Sequence, residues 1–365
     1  MIRHISRLIL LFVCATMAHA SSGITVTMNT DSARAVLEAL QNPTLNREAS
    51  LRIAAMQGNQ GIIRKLNEFK IPATTQRFAD ALYACAHGEK VEDATQQSFY
   101  FDTVKSKSRE LLALLAQIAD DSHSFQGAIE QRIAIFTPPG SDIRLQGYVV
   151  AGGDGSGYTF GDTDFYLNIG FGGEFPVAKE TTTHELYHAV QGAFAKDRGD
   201  STEVSTHAGS HSRGDCMNVA HLFENLYKEG SATYVGDISL LSDAKTKVGI
   251  RMKNDMDDGL KNVSSSALLL EMSVLSLSAD NPMPYDDVYD VGFYGHGTLY
   301  DIAYVMATDI VESDGPQGLA AYLKQPAYRF VARYTQLPKY GADKDHPRLG
   351  PKTLAAANRI ASGCK

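Results

Sequence analysis

Thr183-His184-Glu185-Leu186-Tyr187-His188-Ala189-Val190-Gln191 is the stretch from which the rest of the chain can be read. It holds two histidines four positions apart, with a glutamate directly after the first. On a helix, residues i and i+4 stand one turn apart on one face, so His184 and His188 can reach a single ion. Glu185 sits beside the first imidazole, placed to take a proton from water at that ion without entering its coordination sphere. Leu186, Ala189 and Val190 give the helix an apolar, buried side. Chance alone produces this HExxH spacing roughly 0.02 times in a chain of such His and Glu content, so the pattern decides more than an isolated histidine would.

Three protein ligands leave a fourth tetrahedral position open for water. A third histidine six positions after His188 is one known solution, but Phe194 stands there. A carboxylate from a later helix is the other. The segment Phe223-Glu224-Asn225-Leu226-Tyr227-Lys228-Glu229-Gly230-Ser231-Ala232-Thr233-Tyr234 offers Glu224 and Glu229. Glu229 is preferred, because Gly230 and Ala232 beside it permit two helices to approach closely near the ion. The competing reading of either glutamate is ordinary helix surface charge.

The set HELYHAVQ followed by EGSATY resembles the gluzincins, the thermolysin-like zinc peptidases of the MA clan that combine HExxH with a downstream Glu, and within them an uncharacterised branch of zinc-dependent peptidases. The resemblance covers about residues 130–320 and rests on short motifs. It implies a small sheet with an edge strand for substrate, an active-site helix beneath it, Zn2+ as cofactor, and a donor for the tetrahedral oxyanion. Phe293-Tyr294-Gly295-His296-Gly297 supplies two candidates for that donor, Tyr294 and His296. Loop packing for the Tyr and a solvated helix start for the His are the plainer readings.

Outward from the motif, Leu145–Val150 and Phe165–Ile169 read as strands, and so does Arg132–Phe136. The glycine-rich Ala151–Gly157 lacks the Lys-Ser/Thr pair of a phosphate loop and reads as a connection between strands. Upstream, Ile24–Met28 suggests a short strand. Ala33–Leu40, Leu51–Phe69, Thr75–Ala86 and Val104–Ile118 show helical spacing. Downstream, helices are expected at Val177–Ala195, Asn218–Tyr234, Ser265–Leu277, Gly297–Val311 and Gly315–Tyr334, with a polar loop over Asp200–Asp215. Helices, a small mixed sheet beside the HExxH helix, then helices make an α+β, mostly helical fold. Residues 21–130 are expected as an N-terminal helical region and 131–365 as the catalytic domain.

The first twenty residues stand apart. Arg3 and Arg7 precede the apolar run Leu8–Met17, and Ala18-His19-Ala20 fits a small-x-small cleavage site. This is the pattern of a secretory signal peptide, too short to span a bilayer. The expected location is therefore secreted or periplasmic. The formal charge of the chain is −8. Cleavage after Ala20 removes two arginines and no acids, leaving 32 basic against 42 acidic residues, or −10. Such a surface excludes nucleic acid and gives no reason to expect stable membrane association. The partner expected is a peptide or protein substrate.

Cys85, Cys216 and Cys364 follow the signal. An odd number allows one disulfide at most, in any of three pairings, and the wide spacing excludes a thiolate zinc site. His207, His211 and His221 form a second histidine group, read as mostly solvated, with a second metal site as the sharper alternative. Asp237 is a weak candidate to support the imidazoles. Hydrolysis of peptide bonds is the leading functional expectation. A catalytically inactive zinc-containing binding module and a metal-free exported interaction protein are the alternatives; Glu185 argues against the first, and metal analysis of the purified protein separates the second.

Overall fold

The computed structural model describes residues 23–120, 125–160, 164–198, 211–294 and 297–364. Residues 1–20, expected as a signal peptide, and His207 and His296 lie outside these residues. A four-stranded sheet runs β1 (Gly23–Asn29), β2 (Asp142–Val150), β4 (Asp164–Asn168), β3 (Gly157–Thr159) across its width. β1, β2 and β4 are mutually parallel, while β3 turns back antiparallel on β4 and forms one edge. The fold is α+β and mostly helical, with a small mixed sheet, as the element order implies.

The sheet lies between two helical layers. Phe165, Tyr166, Leu167 and Asn168 of β4 are all buried, as a strand covered on both faces requires. Tyr166 meets the helix Gln57–Glu68 at Gly61, whereas Phe165 lies beside Thr181 of the helix Phe175–Ala193. The latter, here the motif helix, carries HExxH. It starts on Glu174 with Pro176 in its first turn, where a missing N–H costs nothing. Its apolar side buries Leu186, Tyr187, Ala189 and Val190, and the Tyr187 hydroxyl donates to the Phe136 carbonyl at 3.0 Å. The long helix His211–Gly236 packs on the motif helix and, on its other side, against Thr298–Asp314.

Several expectations need correction. Arg132–Phe136 is not a strand but the end of the helix Gln126–Ile135. Ile129 and Ile133, four apart, are buried while Ile135 is exposed, so the 3.6-residue period governs a segment too short to show it unaided. Leu51–Phe69 is two helices, broken at Ala55-Met56, and Val104–Ile118 is broken at Lys107. Gly315–Tyr334 is likewise split into short pieces. The helix Lys247–Lys261 and the strand β3 were not anticipated.

Cys216 and Cys364 are joined by a disulfide spanning 148 positions, and Cys85 is left as a buried thiol that donates to Asp102 at 3.2 Å. Burial, reinforced by Asp102, pushes that thiol up to about 12. Among the described residues, no helix is long and apolar enough to cross a membrane.

Candidate metal centre

His184 and His188 project from the motif helix, and Glu229 comes to meet them from His211–Gly236. The two Nε2 atoms are 3.1 Å apart. Glu229 Oε2 lies 3.5 Å from His184 Nε2 and 3.3 Å from His188 Nε2. Ligands held at zinc's usual bond lengths of about 2.0–2.2 Å in a tetrahedron stand about 3.3–3.5 Å from one another. The three atoms thus already have the spacing that one zinc ion demands. Among the described residues these three form the one group of His, Cys, Asp or Glu side chains able to hold a metal.

The electrostatics agree with that geometry. Burial alone would lower His188, yet the facing Glu229 carboxylate overrides it and lifts the imidazole to about 9. Burial alone would raise Glu229, but the two imidazoles hold it far below the usual carboxylate range. A buried carboxylate placed against two imidazoles is a pocket that favours positive charge. A divalent cation would satisfy it more fully than protons do.

Gln191 fixes the second imidazole. Its amide oxygen lies 2.8 Å from His188 Nδ1, so that nitrogen carries a proton and Nε2 is the ring atom left to bind a metal. The Gln191 amide nitrogen donates to the Lys228 carbonyl at 3.0 Å and to Ser231 Oγ at 2.9 Å. Ser231 in turn donates to the Tyr227 carbonyl at 2.7 Å. One buried side chain therefore ties the histidine helix to the carboxylate helix on either side of Glu229. Asp237, considered for this task, instead accepts from Ser239 Oγ at 2.5 Å.

Glu185 faces a cleft that passes over the three ligands. One half, about 370 Å3, is bounded by β3 and by Lys65 and Lys228. The other, about 310 Å3, runs towards Glu180 and Asp301. His184, Glu185 and Tyr300 belong to both halves. β3 passes close over the motif helix: a Cβ on Gly157 would stand 2.7 Å from Thr181 Cγ2 and 3.2 Å from Glu185 Cγ.

Tyr300 was not foreseen from the sequence. It sits in the first turn of Thr298–Asp314, beside Glu229 at the cleft. Burial first, and the Glu229 charge second, keep it protonated far above the ordinary tyrosine range. Gly230 makes the approach of its helix possible, because a Cβ there would lie 2.4 Å from the Ala303 carbonyl oxygen. Tyr294, the earlier candidate, is 56% exposed and does not line either half of the cleft. Glu224 is salt-bridged to Lys228, and the His221 ring stacks on Tyr285 at 4.4 Å. Neither joins the ligand group.

Two imidazoles and a carboxylate thus form a group that could hold a metal ion, with a further carboxylate and a tyrosine hydroxyl bordering the same cleft. The chain belongs to the family described as "Putative zinc dependent peptidase (DUF5700)", whose profile matches residues 51–342. No curated protein and no solved structure matches it.

Proposed function

We propose that this chain is an exported zinc-dependent peptidase of the gluzincin kind, holding its metal through His184, His188 and Glu229. The spacing of those three ligand atoms is the observation that carries the reading. When bound, zinc supplies Lewis-acid polarisation of a carbonyl and lowers the pKa of water. The chain's own groups do the remaining work. Glu185 accepts the proton of the attacking water and passes it to the departing amine. Tyr300 donates its hydroxyl hydrogen to the oxyanion as the carbonyl becomes tetrahedral. β3 offers the outer edge of the sheet, along which an extended peptide can add as a further strand.

The Cys216–Cys364 disulfide supports export, since such bonds persist in oxidising compartments. An inactive zinc-binding module has no need of a carboxylate in the position of Glu185, nor of an open cleft beside the ligands. The test is digestion of a mixed peptide library by the purified protein, read by mass spectrometry, beside Glu185→Gln. Wild-type cleavage with retained zinc and lost turnover in the variant is expected. Equal cleavage by both proteins would sink the mechanism.

A further inference from the structure

We propose that the half of the cleft leading to Glu180 and Asp301 receives the side chain of a lysine or arginine of the peptide substrate, beside the bond to be cut. The proposal deepens the peptidase reading and rests on it. Its ground is a buried carboxylate on the wall of that recess with no partner of its own. Asp301 is only 8% exposed and lines the recess, yet among the described residues it has no hydrogen-bond or ion-pair partner. Glu180 is 5% exposed; the Thr181 hydroxyl, at 3.3 Å, is its one hydrogen-bond partner among the described residues, and the His184 imidazole lies near enough to act on its charge. A buried carboxylate without a partner is costly, so a fold that keeps one at a cleft wall reserves it for something that arrives. Room is made for it: a Cβ on Gly259 would lie 2.1 Å from Asp301 Oδ1.

Among the described residues no lysine or arginine lines this half, although Lys65 and Lys228 line the other. Asp255 at its wall already faces Arg251 at 3.3 Å and is mostly exposed. The remaining walls combine the aliphatic side chains of Ile238, Met252 and Met256 with the hydroxyls of Ser156, Thr181 and Thr233. Aliphatic surface with carboxylates beside it matches a methylene stem that ends in a cation. A bare ammonium, as at a free peptide N-terminus, shares the charge but would leave the apolar walls uncovered. Because His184, Glu185 and Tyr300 border the same recess, its occupant is the residue next to the scissile bond.

The experiment has two arms, both on the full chain. In the first, a peptide library is digested in free and N-acetylated forms by wild type, Asp301→Asn and Glu180→Gln. We expect Lys or Arg enriched at least tenfold at one subsite, in both forms of the library, and that enrichment lost in Asp301→Asn with zinc content unchanged. Cleavage without this preference, or a preference untouched by Asp301→Asn and Glu180→Gln, overturns the proposal while leaving the peptidase reading intact. Cleavage confined to free N-termini overturns it in favour of an α-amino site. In the second arm, binding of butylguanidinium is measured calorimetrically against its neutral isostere butylurea. Binding of the cation alone, lost in Asp301→Asn, supports the recess even if no peptide is cut, in which case the peptidase reading is what fails. Equal binding of both probes overturns the recess. Circular dichroism confirms that each variant is folded, and Glu180→Gln carries the test should Asp301→Asn not be.

Discussion

Gln191 Oε1 sits 2.8 Å from His188 Nδ1, and the same amide reaches across to the helix that bears Glu229. A ligand and the means of orienting it are thus separated by a single helical turn. Replacing Gln191 with Leu should weaken zinc binding about 10- to 100-fold. Competition against a chromogenic chelator measures this directly. Unchanged affinity would mean that the imidazole is held by something else.

Tyr300→Phe removes one hydroxyl and little volume. If that group stabilises the oxyanion, kcat/KM should fall about 10²- to 10³-fold, while zinc content and thermal stability stay near wild type. The loss should lie in kcat rather than KM, because the contact forms only as the carbonyl becomes tetrahedral. Steady-state kinetics on any peptide found in the library digest decides it.

Asp301 gives a pH signature in stability. Burial lifts its carboxyl from 3.8 to about 7. Between those values the folded chain keeps a proton that the unfolded chain releases. Stability therefore falls as pH rises through that window and levels off above it. Asp301→Asn removes the penalty. The variant should match wild type near pH 4 and exceed it at pH 8 by about 1–3 kcal/mol, a few degrees in Tm. Thermal melts at the two pH values suffice, and a variant less stable at pH 8 contradicts the account.

The disulfide closes a loop of 148 positions and pins the C-terminal Cys364 to the start of the helix carrying Glu229. Cys364→Ser should cost about 2–5 kcal/mol of stability, since the unfolded chain regains the freedom of that loop. Urea denaturation of the variant and of reduced wild type should give matching midpoints. Reduced wild type holding its oxidised midpoint would show that the bond adds nothing.

The sequence made some of this legible and concealed the rest for physical reasons. HExxH and the distant Glu229 were readable because metal ligation imposes fixed residue types on fixed helical faces. The strands β2 and β4 showed as apolar runs, each bounded by turn residues. β3 did not, because it is three residues long and begins in a glycine-rich stretch that reads as loop. Tyr300 was passed over in favour of Tyr294 six positions earlier. Which tyrosine reaches Glu229 depends on how two helices cross at Gly230 and Ala303, and no local pattern encodes that. Gln191 lay inside the quoted motif, and its spacing of three from His188 was the available signal. Asp301 and Glu180 looked like any helical carboxylates until burial set them apart.

The register of β1 on β2 joins Gly23 to Asp142, 119 positions later. β1 thus forms the edge of the sheet opposite β3, and it stays without a strand neighbour until a segment more than a hundred positions away folds against it. Its amides stay hydrated meanwhile, and closing so long a gap is slow. The sheet is therefore completed late, after the helices between its first two strands have formed from local contacts.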